Sequence, residues 1–106
     1  MDQSEADIQK EILDFLDSKG FVAVKFNAGA FKVKGGKRGN PSRRSVGVSD
    51  ILACSPCGRF CAFEIKKPGG EASEAQVAFQ ARVVASGGIA LIVESKGQLI
   101  QALTLV

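Results

Sequence analysis

Two apolar runs, residues 48–54 and 60–66, flank a short segment carrying Pro56 and Gly58. Runs of this length bounded by turn residues form strands, and so short a connection joins them as an antiparallel hairpin. A lone hairpin is marginal in water and needs further strands or a helix against one face. The rest of the chain supplies both. Residues 4–19 place Ile8, Ile12, Leu13, Phe15 and Leu16 at helical spacing, with Ser4 as N-cap, Asp7 in the first turn and Gly20 at the stop. Residues 21–26, Phe-Val-Ala-Val-Lys-Phe, read as a strand. Residues 73–85 read as a second helix: Ser73 and Gln76 fit a capping box, and Val77 and Val84 contribute an apolar face. Gly87-Gly88 ends it, and Ile89-Ala90-Leu91-Ile92-Val93 is an uninterrupted apolar run, the pattern of a strand covered on both faces. Residues 98–106 fit a short final helix or an edge strand equally well. The order α-β-β-β-α-β predicts an α/β fold with a mixed central sheet flanked by helices.

The chain has 106 residues, 45% of them hydrophobic, enough for one core and one domain spanning residues 1–106. No apolar run approaches the ~18–20 residues that cross a bilayer, and the acidic, polar start does not resemble a signal segment. The expectation is an intracellular, cytoplasmic protein with no membrane partner and no organic cofactor. Histidine, tyrosine and tryptophan are absent. That excludes a histidine base, a histidine-rich zinc site and a tyrosine nucleophile. Any catalysis must run on carboxylates, lysine, hydroxyls, thiols or a metal. Cys54, Cys57 and Cys61 form C-x₂-C-x₃-C but lack a fourth tetrahedral ligand. They are expected to serve as small apolar side chains on and between two strands.

The net charge of +3 is modest, but its distribution is not even. Residues 1–17 carry Asp2, Glu5, Asp7, Glu11, Asp14 and Asp17 against Lys10, whereas Lys32, Lys34, Lys37, Arg38, Arg43 and Arg44 lie together with no acid among them. The segment around them, about residues 27–47, holds Gly29, Gly35, Gly36, Gly39 and Pro41 and reads as a long loop with room for a short strand near residues 31–33. A basic segment on an otherwise balanced chain suggests a polyanion partner; the plainer alternative is a solvated loop.

The chemistry centres on Phe63-Glu64-Ile65-Lys66. Strand side chains alternate, so Glu64 and Lys66 share one face while Phe63 and Ile65 take the other. Asp50 heads the preceding strand, and in a hairpin the start of one strand lies near the end of the next. Asp50, Glu64 and Lys66 can therefore meet at one end of the sheet. Two carboxylates offer hard oxygen ligands for Mg²⁺, which keeps several waters and uses one or two protein carboxylates. Lys66 can orient or deprotonate an attacking water, or stabilise developing negative charge. A bare E-x-K motif is equally a cross-strand ion pair on a wet surface; the aspartate, the element order and the basic segment add the weight. On the first helix Glu5 and Glu11 differ in the face they take. At ~100° per residue the apolar face of Ile8, Ile12, Phe15 and Leu16 centres near Glu5 and Gln9, which favours Glu5 over Glu11. Glu5 could instead serve the helix dipole alone.

The segments Gly47-Val48-Ser49-Asp50, Phe63-Glu64-Ile65-Lys66 and Ser73-Glu74-Ala75-Gln76 resemble the G-x-P-D, E-x-K and S-x-x-Q signature of the VRR-NUC (virus-type replication-repair nuclease) family, within the PD-(D/E)XK nuclease superfamily. The resemblance spans nearly the whole chain, and the element order is similar too. It implies a restriction-endonuclease-like fold and a Mg²⁺-dependent nuclease, with Mn²⁺ as a possible substitute. It implies metal ligation by Asp50, Glu64 and the Ile65 backbone carbonyl, catalysis by Lys66, and site roles for Gln76 and for a first-helix glutamate, here Glu5. Gln76 would otherwise be an ordinary capping residue. The family's usual proline before the aspartate is Ser49 in this chain; proline stiffens the bend but supplies no ligand. Small stand-alone members are viral or bacterial and are associated with homodimers that cut four-way DNA junctions. With that resemblance, Lys32, Lys34, Lys37, Arg38, Arg43 and Arg44 become candidate phosphate contacts, which position a substrate without reading its sequence. Two other readings stand beside a structure-selective DNA endonuclease: a non-catalytic nucleic-acid-binding module that keeps the fold, and a small interaction protein whose charges are ordinary surface.

Overall fold

The computed structural model describes residues 3–26, 31–32, 38–39 and 45–106. Nine elements run in the order α1 (Glu5–Ser18), β1 (Val22–Lys25), β2 (Phe31–Lys32), β3 (Arg38–Gly39), β4 (Ile51–Cys54), β5 (Phe60–Ile65), α2 (Glu74–Ala85), β6 (Ile89–Val93) and α3 (Lys96–Leu103). Strands β1, β4, β5 and β6 form one mixed sheet in that spatial order. The β1–β4 and β4–β5 pairs are antiparallel; β5 and β6 are parallel, joined by the α2 crossover. Opposite Ile51 sits Phe63, and opposite Cys61 sits Ile89.

Helix α1 starts where a complete capping box allows it: the Ser4 hydroxyl accepts from the Asp7 amide, and the Asp7 carboxylate accepts from the Ser4 amide. Its stripe of Ile8, Ile12 and Leu16 is buried against the sheet. Gly20 follows at φ 84°, a left-handed conformation that glycine adopts without steric cost. The core lies on that side of the sheet. It joins Ile8, Ile12 and Leu16 to Ile51 and Ala53 of β4, Cys61, Phe63 and Ile65 of β5, Ile89 and Val93 of β6, and Leu99 of α3. Each large side chain so buried contributes about 1.5–3 kcal/mol.

Because side chains alternate along β5, Ala62 and Glu64 lie on the opposite face, the one α2 covers. Helix α2 packs mainly on β5 and β6. Val22 and Val24 of β1, farther across the sheet, stay exposed, and Phe60 at the start of β5 is partly exposed beside the end of α2. The polar site is thus built on the lightly covered face, apart from the main core.

The ambiguous tail is a helix. The Ser95 hydroxyl caps α3 by accepting from the Gln98 amide, and Leu99 is fully buried. Leu99, with Leu103 packed on the same core, docks a helix that Gly97 by itself would disfavour. Within the basic segment, β2 and β3 pair antiparallel as a separate two-stranded ribbon, with Lys32 opposite Arg38. Lys34, Lys37, Arg43 and Arg44 lie outside the described residues. The cysteine expectation holds for Cys61 alone: it is in the core, whereas Cys54 and Cys57 are exposed. The correction has a local cause. Cys57 sits in the turn between β4 and β5, where Ser55 Oγ lies 3.2 Å from its sulfur and holds the thiol below its ordinary pKa. Among the described residues, no helix is long and apolar enough to cross a membrane.

Candidate active site

The β4–β5 hairpin brings Asp50 and Glu64 side by side. Asp50 immediately precedes β4, next in register beyond the Ile51–Phe63 pair. Its backbone carbonyl accepts from the Phe26 amide at 2.7 Å, which ties it to the end of β1. Its side chain reaches across the hairpin, where Oδ2 accepts from the Ile65 amide at 2.9 Å. The Asp50 carboxylate is therefore oriented by backbone, which does not swing away as a side-chain partner can.

Glu64 is the most buried acid in the site, with 1% of its surface exposed. Its Oε1 accepts from Gln76 Nε2 at 3.0 Å and lies 3.6 Å from Lys66 Nζ. Its Oε2 is buried and has no hydrogen-bond partner. Burial, and then the neighbouring Asp50 carboxyl, push the Glu64 pKa up from its ordinary value to about 7; the Lys66 ammonium opposes them. A buried, half-satisfied carboxylate is costly to keep.

Gln76 has two duties. Its side-chain oxygen accepts from the Ser73 amide at 2.8 Å, completing the capping box of α2, while its amide nitrogen donates to Glu64. Glu5 lies at the far end of β5, where Oε1 accepts from the Lys67 amide at 3.1 Å. Its neighbour Gln9 is buried with Oε1 unpartnered, whereas the competing Glu11 is hydrogen-bonded by Gln3 at the helix start. The structure thus brings Asp50, Glu64, Lys66 and Gln76 together and places Glu5 at the strand end beside them. Lys32 and Arg38 are placed by backbone on β2 and β3.

Three further residues support the site without a clear signal in the sequence. Ser49 is fully buried, and Gln80, also buried, donates from Nε2 to Ser49 Oγ at 2.7 Å and to the Ala62 carbonyl at 3.3 Å. Glu94, just after β6, accepts from the Gly69 amide at 2.8 Å and secures the loop that leaves β5. Spacing offered one hint for Gln80: it stands one helical turn after Gln76, on the same face.

Among the described residues, no three His, Cys, Asp or Glu side chains converge as an all-protein metal cage. The donor set suits a different kind of ion. Two adjacent carboxylates, one with an unpartnered buried oxygen, suit a hard divalent cation that keeps most of its waters.

No family model and no curated protein matches the sequence. Among solved structures, the chain is similar to one described as a VRR_NUC domain, with a TM-score of 0.67 and 19% identity over 94% of each chain. The fold is therefore that of a VRR_NUC domain: a mixed four-stranded sheet with helices on both faces.

Proposed function

We propose that this chain is a metal-dependent DNA endonuclease that hydrolyses phosphodiester bonds, selecting branched substrates such as four-way junctions by shape. The observation that carries the reading is Glu64: a carboxylate buried beside Asp50 and Lys66 with one oxygen unsatisfied. A purely structural role would be filled better by an apolar residue or a fully bonded amide. The likeness to a VRR_NUC domain supports it.

Asp50, Glu64 and the Ile65 carbonyl would hold the cation, Mg²⁺ or Mn²⁺. Such an ion, when bound, acidifies its water and offsets charge on the scissile phosphate. The chain's own residues do the positioning. Gln76 engages Glu64 Oε1 and leaves Oε2 free to act as a ligand. Lys66, on the same side of β5, orients the attacking water and stabilises charge on the phosphate oxygens. Glu5 stands at the strand end as a further acid of the site. Lys32, Lys34, Lys37, Arg38, Arg43 and Arg44 grip phosphates flanking the cut. A protomer this small presents little surface to a branched substrate, so a homodimer offering two sites completes the proposal.

The test is a cleavage panel of four-way-junction, duplex and single-stranded DNA, each with Mg²⁺ and with EDTA. Cutting with Mg²⁺, strongest on the junction and abolished by EDTA, is the expected result. No metal-dependent cutting of any substrate would sink the proposal, and binding without cutting would mark a non-catalytic nucleic-acid-binding module instead.

A further inference from the structure

Helix α2 touches the site at more than Gln76. Gly47, three residues before Asp50, has φ 81° and lies so close to the helix that an added Cβ would stand 2.2 Å from the Ala75 carbonyl oxygen. Ser49, the next residue but one, is fully buried beneath the same helix and receives the Gln80 amide at 2.7 Å. The other short contact of that amide is the Ala62 carbonyl at 3.3 Å, two residues before Glu64 on β5. One side chain therefore bridges the bend that carries Asp50 and the strand that carries Glu64. Gln76, one turn earlier on α2, holds the Glu64 carboxylate itself.

We infer that Gln80 is a positioning residue for the ion site: through Ser49 and Ala62 it sets the spacing between Asp50 and Glu64, doing the work that a rigid residue before the aspartate would otherwise do. Serine leaves the backbone at position 49 free to rotate, and a buried hydroxyl requires a partner. Gln80 supplies that partner and anchors it to the neighbouring strand. The two amide side chains of α2 then act as a pair, one on each carboxylate's support. The inference rests on the reading of Asp50 and Glu64 as ion ligands, and its primary readout is ion binding, independent of cleavage.

The experiment measures Mn²⁺ binding by isothermal titration calorimetry, well below the melting temperature, for wild type, Gln80→Leu, Ser49→Ala, and the double variant Ser49→Pro/Gln80→Leu. Leucine keeps most of the volume and removes the donor. Loss of a residue that orients a ligand typically weakens metal binding 10–100-fold. We expect the Kd of Gln80→Leu to rise about tenfold. Ser49→Ala, which removes the acceptor, should shift it in the same direction and carries the test if Gln80→Leu does not fold. The double variant should recover to within about threefold of wild type, because proline stiffens the bend and leaves no hydroxyl to satisfy. A stabilising brace with no positioning role would lower the melting temperature and leave the Kd unchanged. Wild-type affinity in Gln80→Leu, or no recovery in the double variant, overturns the inference. Absence of Mn²⁺ binding by wild type would instead remove the ion-ligand reading beneath it.

Discussion

Replacing Glu64 by glutamine will raise the melting temperature of the ion-free protein at pH 8 by on the order of 10 °C and, in the same molecule, strongly reduce ion-dependent cleavage. The argument begins with burial. Glu64 is almost wholly shielded from water, lies against the Asp50 carboxyl, and has a pKa pushed up to about 7. A carboxyl whose folded-state pKa stands above its unfolded value favours the folded state while protonated. That contribution is complete below the unfolded pKa, near 4.5, and is lost as pH rises through about 7. At pH 8 the ionised group costs about 2 kcal/mol, taking 1.36 kcal/mol per pKa unit and allowing for screening at the mouth of the site. Glutamine removes the charge and can still accept from Gln76. Thermal melts of both proteins from pH 4.5 to 8 should therefore diverge as pH rises and converge at the acid end. Cleavage should fall about 10²–10³-fold or more, the scale of losing one preorganised electrostatic group. Mn²⁺ should raise the melting temperature of wild type and leave that of Glu64→Gln unmoved. Equal melting curves at pH 8 would contradict the assignment of Glu64 as a strained, functional acid.

Lys66→Met is expected to lower cleavage by about 10²–10⁴-fold, the range for a group that acts on a proton or a developing charge. Methionine keeps much of the apolar stem, so folding should be little affected. A second signature separates this lysine from an ordinary surface cation. Its ammonium lies 3.6 Å from Glu64 and opposes the upward push on that carboxyl. Without it Glu64 holds its proton to higher pH, so the rise of Mn²⁺ affinity with pH should move to more alkaline values. Calorimetric titrations across pH 6–9 would show the shift. Normal cleavage by Lys66→Met would refute the catalytic role.

Much of this arrangement was legible because local rules were strong. Period-two alternation put Glu64 and Lys66 on one face, and the apolar strip of α1 set its rotation. The Ser73–Gln76 box announced the start of α2, and the same glutamine also reaches the site. What escaped the sequence was decided by packing between distant elements. Gln80 carries no motif beyond its spacing from Gln76; it is the close seating of α2 on the bend at Gly47 that buries it. α3 could not be separated from a strand because eight residues are too few for helix formers such as Gln98, Leu99 and Ala102 to decide the matter, with Ile100 and Val106 pulling the other way, and the anchors Leu99 and Leu103 act only once the core exists. Cys54 and Cys57 are exposed although cysteine is commonly a small buried side chain: Cys54 ends β4 on the open face of the sheet, and Cys57 lies in the turn.

The hydrogen bond from the Ile65 amide to the Asp50 carboxylate makes one backbone proton a resident spectroscopic probe of the site. The adjoining Lys66 amide donates instead to the Val93 carbonyl, within the sheet and away from the carboxylates. The two neighbouring resonances form an internal pair, one sensitive to the electron demand on Asp50 and the other to that on the Ile65 carbonyl, whose peptide unit it shares. In a titration with Mg²⁺, which is diamagnetic, the Ile65 and Lys66 amide protons should both move, while that of Ser86, bonded to the Arg82 and Val83 carbonyls at the end of α2, stays nearly still. Occupancy of the centre could then be followed in a protein that carries neither tryptophan nor tyrosine to report on it by fluorescence.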